Sequence, residues 1–297
     1  MIERLVAVDW SGDKSEAGQK RKIWAGVWSQ GGRVTLENGR SREELVEWLV
    51  GMAWETPRMV VGVDFCFSYP AWFLRELGMR SAPEFWELVA DTHGEGWLSR
   101  ECDDARFWGR RGPLRDGKTP SEFCGETRHR MFRRADAACK IKGEILSQDD
   151  AAKVKGIAPK SPFQIGGAGA VGTGTLRGIP ALRDLRTAGF SIWPFDTPKL
   201  PMIVEIYPRL LTGEVKKSRA ADRTKYLAEL KGEDKAYRKP GEDVLEKARG
   251  SEDAFDALVS VMVMARKRED FLGLKQTEDE TIMLEGAVWG AGASEAG

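Results

Sequence analysis

The chain reads as an α/β protein: a mixed sheet, in which a three-stranded antiparallel meander joins parallel strands, flanked by helices and interrupted by a largely helical insertion. Three observations predict this class. Short apolar runs bounded by glycine and polar turns open the chain (RLVAVD, KIWAGVWS, GRVTLENG), the pattern of strands linked by tight connections. A helical pattern then leads into MVVGVDFCF, near-continuously apolar as in a strand buried on both faces of a parallel sheet. Late in the chain, SEDAFDALVSVMVMA is apolar almost all round beyond its first turn, as in a helix covered on every side.

Taken in order, RLVAVD is a buried strand ended by the turn-like DWSGDKS, and the next two strand-like runs meet at Gly31 and Gly32. Ser41 caps a helix with Glu43 and Glu44 in its first turn and Leu45, Trp48, Leu49 and Met52 at helical spacing, ending near Trp54 ahead of Pro57. That helix suits a crossover, so the first strand and MVVGVDFCF are expected to be parallel neighbours. From Pro70 the pattern changes. Residues 71 to about 160 alternate helical stretches such as AWFLRELG and PEFWELVAD with Arg-rich and Gly-rich loops, the expected insertion. IGGAGAVGTGTLRG is expected to be a flexible glycine loop before the helix of IPALRDLRTAG; it fits neither of the common phosphate-loop patterns.

FSIWPF and MIVEIYP read as two more strands. A charged excursion over about 213–250 is expected to hold a surface helix around TKYLAELKG and a loop at Lys239 and Pro240. The last strong helix runs from Ser251 to about Arg268, and the tail GAVWGAGASEAG has the small-residue composition of a frayed end. No repeat divides the chain, and residues 1–297 are expected to form a single domain.

Composition narrows the function classes. The 46 basic and 46 acidic residues balance, which excludes a strongly basic nucleic-acid coat protein but leaves local patches open. The four cysteines show no CxxC spacing and there are only two histidines, so a structural zinc has few ligands to draw on. No apolar run approaches the roughly 20 residues that span a bilayer. A soluble, reducing, cytoplasmic setting with no membrane partner is the expectation.

The chemistry is carried by acids lodged in apolar stretches: Asp9 ending LVAVD, Asp64 in MVVGVDFCF, Glu205 in MIVEIYP, and Asp253 and Asp256 in SEDAFDAL. A charged carboxylate in an apolar interior costs several kcal/mol even after relaxation. Each acid also has a plain structural reading. Asp9 suits a turn ahead of Ser11 and Gly12, Asp253 suits the positive end of a helix, and Glu205 suits a buried pair with an arginine. Asp64 and Asp256 are harder to explain so, because no turn signal appears until Ser68 and Asp256 is followed by Ala257, Leu258 and Val259. If the first strand and the Asp64 strand are neighbours, Asp9 and Asp64 meet at the carboxyl edge of the sheet, where α/β proteins place ligands. Asp253 and Asp256, three residues apart, project from one helix face. Acids so gathered repel one another, and a magnesium or manganese ion with all-oxygen ligation resolves the conflict.

The order of elements, with Asp9 in VAVDWSG, Asp64 in GVDFCF, and Asp253 with Asp256 in EDAFDAL, resembles the ribonuclease H-like fold, and especially its Holliday-junction resolvase branch. More narrowly, VAVDWSG, GVDFCFSYP, VEIYPRL, SEDAFDALVSV and EGAVWG together resemble the predicted-nuclease family called domain of unknown function four hundred and twenty-nine. The resemblance implies a nuclease in which Asp9, Asp64 and Asp256 hold one or two divalent metals, Mg2+ or Mn2+, for phosphodiester hydrolysis, with Asp253 supporting. Asp64 stands where the resolvase-like pattern more often has Glu, and Glu205 has a counterpart only in the narrower family. Two other readings follow from the same fold. One is a non-catalytic nucleic-acid-binding or assembly protein; the other, a nucleotide-dependent phosphotransferase, fits less well because actin-like kinases usually duplicate the fold.

A nucleic-acid partner is also suggested by the insertion. Between Arg100 and Lys142 stand 12 Arg and Lys against 7 Asp and Glu, interleaved with Phe107, Trp108, Phe123 and Phe132. Arg110, Arg111, Arg128, Arg133 and Arg134 are the candidates for phosphate contact, with the aromatics available to stack on bases. The competing reading is a solvated helical surface with core-facing aromatics. His129, amid these arginines, is a lesser candidate for proton transfer.

Overall fold

The computed structural model of the chain describes residues 1–102, 104–109, 131–140, 159–167, 169–230 and 235–291. Six strands form one mixed sheet, β1 (Arg4–Asp9), β2 (Trp24–Ser29), β3 (Arg33–Glu37), β4 (Met59–Val63), β5 (Ser191–Ile192) and β6 (Met202–Glu205), in the spatial order β3-β2-β1-β4-β6-β5. The first three are the antiparallel meander that the sequence predicts, and β1, β4, β6 and β5 run parallel.

Between β1 and β2 the expected turn is extended by a helix, α1 (Glu16–Lys22), which Ser15 caps by accepting from the Gly18 amide. The crossover helix α2 (Arg42–Glu55) carries the reciprocal cap between Ser41 and Glu44 and returns the chain to β4 beside β1. Within the described part of the insertion lie α3 (Ala71–Glu76), α4 (Ala82–Leu88), α5 (Gly94–Leu98) and a helical stretch over 134–140. Its aromatic residues Phe107 and Trp108 are buried among Tyr69, Phe73 and Phe163 rather than presented to solvent.

The glycine-rich run departs from expectation. α6 (Val171–Thr187) begins inside it, so Gly172, Gly174 and Gly178 are helical. They permit close approach: a Cβ on Gly174's partner Gly12 would meet the Gly174 amide nitrogen at 2.6 Å, and one on Gly178 would meet the Phe65 ring at 2.7 Å. Glycine here serves packing between α6 and the loops that follow β1 and β4. In the charged excursion α8 (Ala220–Glu229) follows the short α7 (Pro208–Thr212), Lys239 and Pro240 lie in a loop as expected, and a further helix that was not foreseen, α9 (Glu242–Gly250), buries Val244, Leu245 and Ala248. The long α10 (Glu252–Arg266) begins at the Ser251 cap as expected, and α11 (Ile282–Glu285) precedes the tail. That tail is not frayed through 291: Trp289 donates to the Glu205 carbonyl at 2.9 Å beside a bridge between Glu205 and Val288.

Strand alternation sorts the core into two layers. Val6 and Val8 of β1, Met59, Val61 and Val63 of β4 and Ile203 of β6 join one layer with α2, α4 and α6. Leu5 and Ala7, Val60, and Met202 and Val204 join the other with α9 and α10. Among the described residues no helix is long and apolar enough to cross a membrane.

Candidate functional site

A row of small residues seats α10 on the sheet. Ala7 pairs with Gly26 on one side and Gly62 on the other. A Cβ on Gly26 would lie 2.5 Å from the Ala257 carbonyl oxygen, and one on Gly62 would lie 3.0 Å from the Met264 sulfur. The helix backbone therefore lies directly on the sheet at Ala257, one residue beyond Asp256. Asp9, two residues beyond Ala7, shares that face by strand alternation. Asp64 continues β4 past its last paired residue, its amide donating to the Val8 carbonyl at 3.1 Å. The predicted adjacency of Asp9 and Asp64 is therefore observed, at the carboxyl edge of two parallel strands.

Electrostatics binds these acids into one group. The Asp9 carboxyl, 9% exposed, is held well above the usual carboxylate range, by burial first and then by the negative charge of Asp256, Asp64 and Asp253. Asp64 is pushed up to about 7, again by burial and then Asp256. Asp256, 1% exposed, is raised by burial although Lys217 opposes the shift. Asp253, in the first turn of α10, is raised by burial too. It stands at the edge of the group and is less enclosed than Asp256.

Lys217 is the cation the sequence reading missed. Its ammonium donates to Asp256 Oδ2, and Asp256, Asp9 and Asp64 all hold it charged against its partial burial. The other Asp256 oxygen, Oδ1, is buried without a hydrogen-bond partner. Such an orphan is costly in a packed protein. Tyr207, just past β6, was also missed; its phenol is pushed up to about 12 by burial and by Asp64. Trp10, next in the chain after Asp9, turns to the other core layer, its ring 5.0 Å from Phe65. The loop after β1 is fixed by two arginines, Arg42 donating to the carbonyls of Ser11 and Asp13 at 3.1 and 2.8 Å and Arg177 to that of Gly12 at 2.6 Å.

Glu205 does not join this cluster. In register it lies level with Val63, not with Asp64, and alternation with Val204 turns it to the opposite face of the sheet. There it is gripped by Arg133, whose Nη1 and Nη2 donate to its two oxygens at 2.8 and 2.6 Å, while the Phe67 amide donates at 2.9 Å. This is the arginine pair that the sequence left open as its alternative reading. Arg133 is corrected with it: expected at the surface as a phosphate contact, it is 1% exposed and also holds Asp136. Arg134 is exposed and paired with Asp279 at 2.7 Å. Arg110, Arg111 and Arg128, with His129 and Phe123, lie outside the described residues.

The donor set of the cluster is all oxygen and negatively charged, which suits a hard divalent cation rather than a soft one. Among the described residues one ammonium faces three carboxylates, those of Asp9 and Asp256 buried and that of Asp64 half-buried, and Asp256 Oδ1 has an unused lone pair. As they stand, no three acidic, His or Cys side chains among the described residues close into a ligand cage; Asp256 Oδ2 is engaged by Lys217 instead. Comparison of the chain with protein-family models, with curated proteins and with solved structures returns no match.

Proposed function

We propose that this chain is a divalent-metal-dependent phosphodiesterase of ribonuclease H-like fold, a nuclease acting on DNA or RNA. The observation that carries the reading is the meeting of Asp9, Asp64 and Asp256 at one edge of the sheet, with one lysine opposing them and one buried carboxylate oxygen without a partner. The fold reading is supported by the strand order, an antiparallel meander followed by a helical crossover to a parallel strand, and by the late helix that brings an acid back to the same edge.

Asp9, Asp64 and Asp256 would hold Mg2+ or Mn2+, with Asp253 at the margin. Such an ion supplies an activated water and charge stabilisation at the leaving oxygen. The chain's own contribution is orientation. β1 and β4 fix two carboxylates by their ladder, and α10 fixes the third through its close seat on Gly26. Lys217, which donates to Asp256 Oδ2, would have to yield that oxygen for Asp256 to act as a ligand.

The test is a Mn2+ titration followed by electron paramagnetic resonance, paired with cleavage assays on DNA, RNA and branched substrates. Asp9→Asn and Asp64→Asn are expected to abolish both metal binding and turnover, the latter by at least about 100-fold. Wild-type protein that neither binds Mn2+ nor cleaves any of the three substrates would overturn the reading. One observation favours a non-catalytic nucleic-acid-binding or assembly role, the ion pair that already engages Asp256. Binding of nucleic acid that survives both chelation and Asp→Asn substitution would select it.

A further inference from the structure

Lys217 is delivered to the acidic cluster by a braced strap. It lies on the segment from Gly213 to Arg219 that links α7 to α8. Arg209 Nη1 donates to the carbonyls of Gly213 and Val215, each at 2.8 Å, which pins the start of the strap. Arg223, 5% exposed, donates Nη1 to the carbonyl of Lys217 itself and Nε to that of Arg249 at 3.0 Å. Arg249 lies just before the cap of α10, so the brace ties the lysine backbone to the start of the helix that carries Asp253 and Asp256. A surface lysine needs no such anchoring. Only the backbone is held: the Lys217 side chain is 37% exposed, while Asp256 beneath it is 1% exposed, so the ammonium has a path away from the carboxylate and into solvent.

We propose that Lys217 is a tethered counter-ion that a divalent ion displaces from Asp256. The proposal rests on the metal-site reading above. In the ion-free protein the ammonium partly neutralises the cluster and keeps Asp256 Oδ2 occupied. Displaced from Oδ2, the lysine side chain would turn outward while its backbone stays fixed, and it would leave Asp256, whose buried Oδ1 has no partner, to serve as a ligand. The device sets a threshold. An ion strong enough to displace a charged hydrogen bond enters, whereas a monovalent ion that offers no more charge than the ammonium gains nothing by the exchange.

The experiment compares wild-type protein with Lys217→Met in a Mn2+ titration and in thermal melts with and without EDTA. The variant is expected to bind Mn2+ roughly tenfold more tightly, because no ammonium has to be displaced. It is also expected to melt lower than wild type in EDTA, and to recover on addition of Mn2+. A folded Lys217→Met that binds Mn2+ no more tightly than wild type, or more weakly, overturns the proposal while leaving the metal reading intact. If neither protein binds Mn2+, both fall. A variant that binds while wild type does not supports it in its strongest form. Amine labelling of the wild-type chain, read by mass spectrometry, needs no variant: Lys217 should be protected in EDTA and become reactive with Mn2+ present, and equal reactivity in the two conditions refutes displacement.

Discussion

Two groups of buried acids lie on opposite faces of the same sheet edge, and they are solved differently. On one face Glu205 and Asp136 share the guanidinium of Arg133, and Glu205 accepts the Phe67 amide besides. Charge and hydrogen bonds close within the protein, as buried ions require. On the other face, among the described residues, Lys217 alone places an ammonium on the acids Asp9, Asp64 and Asp256, and one carboxylate oxygen of Asp256 has no partner. Burial of an acid is therefore not in itself the mark of a site. The mark is a shortfall of positive charge where geometry has been fixed at some cost.

The comparison breaks most sharply at Arg133. Arg133→Met leaves Glu205 and Asp136 buried without their cation and should destabilise the protein by about 3 to 5 kcal/mol, read from the urea midpoint. Asp256→Asn on the opposite face should leave the midpoint unchanged or raise it, because it removes one of several repelling charges. If the two variants lose stability equally, the two faces are not different in kind.

The second effect concerns how the open cluster is assembled. Gly26→Ala would drive a methyl into the Ala257 carbonyl at 2.5 Å, and backbone cannot yield as a side-chain tip can. Overpacking of this kind costs about 1 to 3 kcal/mol. The displaced helix should also weaken Mn2+ binding, although no ligand has been touched. Intact Mn2+ affinity in a destabilised Gly26→Ala would show that the seat of α10 does not set the position of Asp256.

A smaller effect separates the faces by pH. Asp64 is pushed up to about 7 in the folded chain, against an ordinary value of 3.8, so folding favours its acid form. Its contribution to stability is then fully present below pH about 4 and is lost as pH rises through about 7. In EDTA the wild-type melting temperature should fall between pH 5 and pH 8, and Asp64→Asn should flatten that slope. Mn2+ should reverse the fall at pH 8. A metal-free melting profile that rises over this range would sink the assignment.

The sequence made much of this legible. A crossover helix between two apolar strands is enough to place Asp9 beside Asp64, because parallel neighbours need such a connection. The helical pattern of SEDAFDALVSV made Asp256 a buried acid on one helix face. Three features were hidden for physical reasons. Which face Glu205 takes depends on the β4–β6 register, and one residue of slip reverses it. Lys217 comes from a charged stretch in which neighbouring lysines look alike until the chain is folded. Glu285, buried and accepting from the amides of Ala71 and Arg134 at 2.8 and 2.6 Å, stands immediately before a tail whose composition suggested fraying. The row Ala7, Gly26 and Gly62 was in plain view, but small residues signal a helix seat only once they are known to be neighbours.

The smallest expected effect sits one residue from the largest. Arg134 follows Arg133 in sequence, yet its side chain is 59% exposed and its partner Asp279 is 40% exposed, at 2.7 Å. An ion pair in solvent contributes about 0 to 1 kcal/mol, so Arg134→Ala should barely move the urea midpoint, and its amide still donates to Glu285. Such a residue is free to serve a partner at little structural expense. If the nucleic-acid reading is right and the phosphate path crosses this helix, Arg134→Ala should reduce the salt dependence of binding by about one phosphate contact, uniformly across sequences. Unchanged salt dependence would remove Arg134 from the path, and a loss of stability close to that of Arg133→Met would show that exposure and burial of these adjacent arginines had been wrongly distinguished.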